Sequence, residues 1–175
     1  GYALAGLSSG TVDGATSVVI YMTTYVFMGV GSFAIIMTMR RNGAPVERIS
    51  DMSGLSTSNP IQAAGMMVIM FSMAGIPPLA GFFAKWYVFL AAVDAGLVPL
   101  AVIGVLTSVI GAFYYLRIIR LMYFQDADSP LDKNDERNNR LVLMASLAVI
   151  LLFFFFIGPV HDHASSISGS RAAFS

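Results

Sequence analysis

One stretch of the chain reads Ser72-Met73-Ala74-Gly75-Ile76-Pro77-Pro78-Leu79-Ala80-Gly81-Phe82-Phe83-Ala84-Lys85-Trp86-Tyr87, and it joins a double proline to a lysine inside an apolar segment. Consecutive prolines remove two backbone donors and clash with the preceding helical turn. As one straight helix, the apolar segment 60–95 would be roughly 50 Å long, which is too long for one ordinary membrane crossing. The stretch therefore predicts a single span over 60–95 that is broken at Pro77-Pro78, next to Gly75.

The composition indicates that lipid surrounds most of the chain. Apolar residues make up 57% and charged residues only 11% of the 175 residues, whereas a soluble domain carries roughly a quarter charged residues. We expect an all-α integral membrane fold with about four transmembrane helices in a membrane domain over 1–160, followed by a polar tail over 161–175. The predicted segments are the end of a helix at 1–7 and spans at about 17–39, 60–95, 98–123 and 141–160.

The first residues predict that more sequence precedes them. The run Gly1-Tyr2-Ala3-Leu4-Ala5-Gly6-Leu7 is apolar and has no charged segment before it, so it does not have the pattern of a signal peptide. We expect the chain to be the C-terminal part of a longer membrane protein.

Basic residues predict the orientation of the spans. They concentrate in two loops, which contain Arg40, Arg41, Arg48, Arg117, Arg120, Lys133, Arg137 and Arg140. Both loops lie on one side of the membrane only if the segment 60–95 crosses once. Since positively charged loops remain on the cytoplasmic side, we expect the C-terminus on the side away from the cytoplasm or mitochondrial matrix.

Lys85 is the strongest candidate for chemistry. It is the only charged residue between Asp51 and Asp94, and its distance from Asp94 places it roughly 13 Å inside the membrane boundary. A lysine at that depth costs about 2.5–3.5 kcal/mol and is usually functional. The alternative is a structural ion pair with an acid elsewhere. The adjacent break favours function, because interrupted helices form ion paths in transporters, although a packing kink is the simpler explanation.

Other polar residues of the spans are secondary candidates. Four hydroxyl groups could hold water on a proton path, although ordinary helix contacts explain them equally well: Ser72, Tyr87, Thr107 and Ser108. Arg117 and Arg120 near the end of the third span could form an ion pair inside the bundle or anchor the helix at the membrane surface.

Several classes of function are excluded or disfavoured. A net charge of zero and the lack of a basic patch argue against nucleic acid as a partner. The absence of cysteine excludes disulfides and cysteine-held clusters within this chain. His161 and His163 have the pattern of a solvated tail more than of a metal site. We therefore expect no metal and no cofactor in this chain.

The pattern S-x-A-G-I-P-P-x-x-G-F-x-x-K-x-Y resembles the antiporter-like membrane subunits of respiratory complex I, and most closely their subunit N branch (NADH dehydrogenase subunit 2 in mitochondria). The flanks agree at Gly1-Tyr2, at Tyr21 and Tyr25, and at Tyr114-Tyr115-Leu116-Arg117, so the resemblance covers about 1–160. It implies the end of helix 10 and helices 11 to 14 of a fourteen-helix fold, with helix 12 broken and Lys85 on an intramembrane proton path.

The resemblance also implies a function. The chain would belong to a proton-translocating subunit of NADH:quinone oxidoreductase in a bacterial or mitochondrial inner membrane. Its partners would be the neighbouring antiporter-like subunit, small membrane subunits, lipid and protons, while FMN, iron–sulfur clusters and quinone would bind to other subunits. The alternatives are a subunit of a multisubunit cation/proton antiporter or membrane-bound hydrogenase, and a non-catalytic subunit in which Lys85 is a structural charge.

Overall fold

The computed structural model describes residues 1–126, 131–132 and 139–153. This part of the chain is mainly helical, as predicted. The elements are, in chain order, α1 (Tyr2–Leu7), α2 (Val12–Thr38), β1 (Arg40–Arg41), β2 (Ala44–Pro45), a 3-10 helix (Ile49–Met52), α3 (Leu55–Ser58), α4 (Pro60–Ala74), α5 (Ala80–Asp94), α6 (Val98–Phe124) and α7 (Asn139–Phe153).

Parts of the sequence-based predictions lie outside the described residues. These are the residues after 153 in the predicted span 141–160, the polar tail 161–175 with His161 and His163, and the loop residues Lys133 and Arg137.

Among the described helices, α2 and α6 are each long and apolar enough to cross a membrane. Helix α2 begins at Val12, earlier than the predicted 17–39, because Thr11 caps it: the Thr11 Oγ1 atom accepts a hydrogen bond from Gly14 N at 3.0 Å. The acidic Asp13 lies in the first turn, where the helix dipole favours negative charge.

The break between α4 and α5 is wider than the two prolines alone predict. Helix α4 ends at Ala74 and α5 begins at Ala80, whereas a break at Pro77-Pro78 alone would leave half-helices over 60–76 and 78–95. The reason is Gly75, which adopts a left-handed φ of 88°. Its N–H and that of Ile76 turn back to the last turn of α4, donating to Phe71 O at 3.1 and 3.0 Å. This glycine cap ends the helix before the prolines are reached.

Small residues let α5 approach its neighbours closely. The face of α5 that packs inward is almost entirely small and buried, and it consists of Ala80, Gly81, Ala84, Val88, Ala91 and Ala92. A larger apolar core lies among α2, α4, α6 and α7 and contains Met28, Ile35, Met66, Ile69, Met122 and Ile150. This closely packed helix carries Lys85.

The described parts of the polar loops at one end of the helices contact each other. Strands β1 and β2 form an antiparallel hairpin whose turn residues Asn42 and Gly43 both have positive φ, at 53° and 78°, as a two-residue type I′ turn requires. The Asp132 carboxylate accepts hydrogen bonds from the N–H groups of Asn42 at 3.2 Å and Gly43 at 2.8 Å. The connection between α6 and α7 is thereby attached to the hairpin that follows α2.

Candidate functional site

The Lys85 ammonium is the centre of a polar site formed by several helices. Lys85 is half-buried on α5. Its Nζ atom donates to Met73 O at 2.8 Å, to Ser108 Oγ at 2.9 Å and, more weakly, to Ala74 O at 3.4 Å. These three acceptors match the three N–H donors of an ammonium group. The predicted site residues Lys85 and Ser108 are therefore brought together.

The two carbonyl acceptors are available because α4 ends at Gly75 and two prolines follow. In a continuous helix, Met73 O and Ala74 O would accept hydrogen bonds from the N–H groups of residues 77 and 78. Both of those residues are proline and carry no N–H. The break therefore leaves two carbonyl oxygens at the negative end of α4, where the helix dipole favours a cation. The proline pattern predicts free carbonyls in the turn before the break, and the structure shows that two of them accept hydrogen bonds from Lys85.

Ser72 joins the end of α4 to the start of α5 by a hydrogen bond. It is fully buried, and its Oγ atom accepts a hydrogen bond from Gly81 N at 3.0 Å. A Cβ atom at position 81 would collide with the carbonyl oxygen of Ser72, so only glycine allows α5 to start this close to the end of α4. In the structure Ser72 thus connects the two half-helices, and its hydroxyl is not among the partners of Lys85.

An aromatic group completes the site. The Lys85 Nζ atom lies 5.4 Å from the ring centroid of Tyr2 on α1, within the range of a cation–π contact. Tyr2 packs edge-on against Tyr21, with 5.7 Å between ring centroids, and Tyr21 stacks on Tyr25 at 6.1 Å. The spacing of Tyr21 and Tyr25, one helical turn apart, places both on one face of α2. That spacing is the signal by which the sequence alone could have found this row.

Three of the remaining predicted residues have exposed side chains: Thr107, Arg117 and Arg120. The hydroxyl of Thr107 is exposed and donates to Gly104 O of its own helix at 2.9 Å. Tyr87 is half-buried and only two residues from Lys85, so it projects from a different side of α5. Arg117 and Arg120 are both exposed, and neither forms an ion pair with another residue in the described part of the chain.

The Lys85 amine is the group of this site that can bind and release a proton. All partners that the described residues offer to Lys85 are uncharged: two carbonyls, one hydroxyl and one aromatic ring. Within residues 1–126, 131–132 and 139–153, no group of three or more metal-ligating side chains is present. An amine held in this way can gain and lose a proton.

Comparison with known proteins identifies the family. Residues 1–111 match the family described as NADH:quinone oxidoreductase/Mrp antiporter, transmembrane. The chain belongs to this family. The resemblance seen in the sequence is thereby confirmed, and the helical architecture is that of an antiporter-like membrane domain.

Similar proteins are bacterial NADH-quinone oxidoreductase subunits N. The one from Rhodospirillum rubrum is 55% identical over 149 residues, which are 85% of this chain and 31% of the relative. The one from Parvibaculum lavamentivorans is 57% identical over 130 residues, or 74% of this chain and 27% of the relative. This family member thus spans about a third of the length of such relatives.

Solved structures agree with this fold. A chain of respiratory complex I from Thermus thermophilus with bound aureothin superposes with a TM-score of 0.75 at 25% identity, covering 90% of this chain and 35% of that chain. The same complex with bound NADH gives a TM-score of 0.68 at 24% identity, which supports the fold alone.

Proposed function

We propose that the chain is part of a proton-translocating membrane subunit of an NADH:quinone oxidoreductase, and that Lys85 carries protons through it. The observation that carries this proposal is the position of the Lys85 Nζ atom, 2.8 Å from a carbonyl freed by the helix break. The naming of the relatives as NADH-quinone oxidoreductase subunit N supports the same machine. The subunit would lie in a bacterial inner membrane, with FMN, iron–sulfur clusters and quinone in partner subunits.

In the proposed mechanism, the Lys85 side chain occupies one position when it is protonated and another when it is neutral. While protonated, Lys85 is held by Met73 O, Ala74 O and the hydroxyl of Ser108. These acceptors stabilise the ammonium in a region where an unpartnered charge is expensive. On losing its proton to a neighbouring water or side chain, the neutral amine gains less from the carbonyls and turns away. Reprotonation returns it to the break, so that proton transfer and side-chain position are linked.

A cation/proton antiporter is the second candidate, because the family description itself names Mrp antiporters. The same lysine chemistry serves both machines, since it requires only a proton path and a change in neighbouring charges. The two differ in partners: an oxidoreductase subunit purifies with subunits that oxidise NADH, whereas an antiporter subunit, like one of a membrane-bound hydrogenase, does not.

The test is Lys85→Met in the complete assembly reconstituted in vesicles, with protons translocated per NADH oxidised as the measurement. Methionine keeps the length of the side chain and removes the titratable amine. We expect the ratio to fall while the complex remains assembled, and Lys85→Arg, which keeps a permanent charge, should also lower it. An unchanged ratio in Lys85→Met would leave Lys85 as a structural charge, and loss of assembly in both variants would also favour a structural role.

A further inference from the structure

We propose that Tyr2 is a positioning residue for Lys85, whose aromatic ring holds the ammonium at the helix break. This inference rests on the proposed function of Lys85 in proton transfer. It concerns a contact between α1 and α5 that the sequence pattern around the prolines does not contain.

The geometry is that of a cation at an aromatic ring. The Lys85 Nζ atom lies 5.4 Å from the Tyr2 centroid, and cations are attracted to a ring within about 6 Å of its centroid by the negative charge on its face. The carbonyls and the Ser108 hydroxyl use the N–H donors of Lys85, whereas the ring attracts the charge as a whole. Tyr2 therefore adds to the oxygen acceptors rather than competing with them.

The Tyr2 ring is itself held in place by two others. Its centroid is 5.7 Å from that of Tyr21 on α2, with an interplanar angle of 66°. It is also 5.7 Å from that of Phe89, with an angle of 78°. Both are edge-to-face contacts, which aromatic pairs prefer. Phe89 follows Lys85 by one helical turn on α5, so the helix that carries the lysine also carries a ring that orients its aromatic partner.

The Tyr2 ring stabilises the protonated form of Lys85 more than the neutral form. A ring face attracts an ammonium through its charge but gains little from a neutral amine. Tyr2 therefore favours the position at the break only while Lys85 carries its proton. A residue with this preference links the charge of the lysine to its position, which is what the proposed mechanism requires.

The experiment replaces Tyr2 by phenylalanine and by phenylalanines with increasing ring fluorination in the complete NADH-oxidising assembly. Fluorine withdraws charge from the ring face and changes its size little, so the variants keep the packing against Tyr21 and Phe89. We expect Tyr2→Phe to retain the number of protons translocated per NADH, and the ratio to fall stepwise with fluorination. A cation–π contact corresponds to about 2- to 30-fold in the occupancy of a bound cation. A ratio that does not change along the fluorinated series would overturn the proposal.

Two further variants distinguish a failure of the Tyr2 proposal from a failure of the proposed role of Lys85. In a Lys85→Met background, fluorination at position 2 should have no additional effect, because no cation remains to be attracted. Tyr25→Leu is the matched control, since Tyr25 stacks on Tyr21 without contacting Lys85, and it should retain the ratio. If Lys85→Met itself pumps normally, the proposed function fails; if only the fluorinated series is flat, Tyr2 alone loses its role. A loss in Tyr2→Phe would contradict the cation–π role and indicate that the phenol hydroxyl acts instead.

Discussion

The Nζ atom of Lys85 lies 2.8 Å from the carbonyl oxygen of Met73, an oxygen whose helical hydrogen-bond donor would have been the N–H of residue 77. Residue 77 is proline and has no N–H, so Lys85 donates the hydrogen bond that the backbone cannot supply. Pro77 and Lys85 are eight residues apart in the sequence, but both determine the hydrogen bonding of Met73 O: Pro77 offers it no donor, and Lys85 donates to it. This relationship connects the helix break directly to the charge of Lys85.

Pro77→Ala tests this competition. Alanine supplies the missing N–H, which bonds to Met73 O whenever α4 extends past its end at Gly75, so that Lys85 loses its shortest hydrogen bond in that conformation. We expect the ratio of protons translocated to NADH oxidised to fall, measured in vesicles containing the complete assembly. The control is Leu79→Ala, which lies in the same connection but supplies no new donor to Met73. Equal ratios in Pro77→Ala and the unmodified protein would contradict the competition.

Ser108→Ala should weaken proton translocation because it removes the hydroxyl acceptor at 2.9 Å from Lys85 Nζ. A hydrogen bond to a charged group contributes about 1.5–3 kcal/mol, which corresponds to roughly a tenfold or larger change in the occupancy of the site. Thr107→Val is the matched control, because the neighbouring hydroxyl is exposed and bonds only within its own helix. The measurement is again protons per NADH. A larger loss in Thr107→Val than in Ser108→Ala would show that the path follows the other hydroxyl.

Gly81→Ala should destabilise the junction of α4 and α5. The added methyl group would overlap the carbonyl of Ser72, a backbone group that cannot move without displacing the end of α4. Overpacking of this kind costs typically 1–3 kcal/mol. We expect a lower yield of assembled complex and a lower temperature of dissociation. Gly29→Ala on α2 is the control, because a Cβ there meets no atom within 4 Å, and comparable losses in both variants would refute this account.

Asp132→Ala should loosen the contact between the α6–α7 connection and the turn of the hairpin, while the backbone hydrogen bond from Asp132 N to Arg40 O at 2.8 Å remains. It removes both acceptors for the N–H groups of Asn42 and Gly43, and unsatisfied donors cost about 1–3 kcal/mol each when buried and less when water reaches them. We expect faster hydrogen exchange at those two amides in the assembled complex, measured by mass spectrometry. Asp126→Ala, an exposed acid near the start of the same connection, should leave the exchange unchanged. Unaltered exchange in Asp132→Ala would mean that the hairpin holds its turn alone.

The apolar composition predicts a membrane protein, but it does not predict which face of each helix is buried. Met66 and Met70, one helical turn apart on α4, are both buried in the apolar core. The sequence could not show which faces of α6 are covered, because that helix is apolar all round and carries no periodic pattern to orient it. In the described chain most of its surface is exposed.

The sequence alone determined the membrane class, the family and the break near Pro77 and Pro78, because these depend on local properties: apolar length, charge and the missing proline N–H. Only the tertiary structure decided that Met73 O, Ala74 O, Ser108 and Tyr2 surround Lys85. These partners come from three helices besides α5, and their distances depend on close packing across small residues such as Gly81. Contacts between separate helices are fixed by how the helices approach one another, which no local pattern in the chain records.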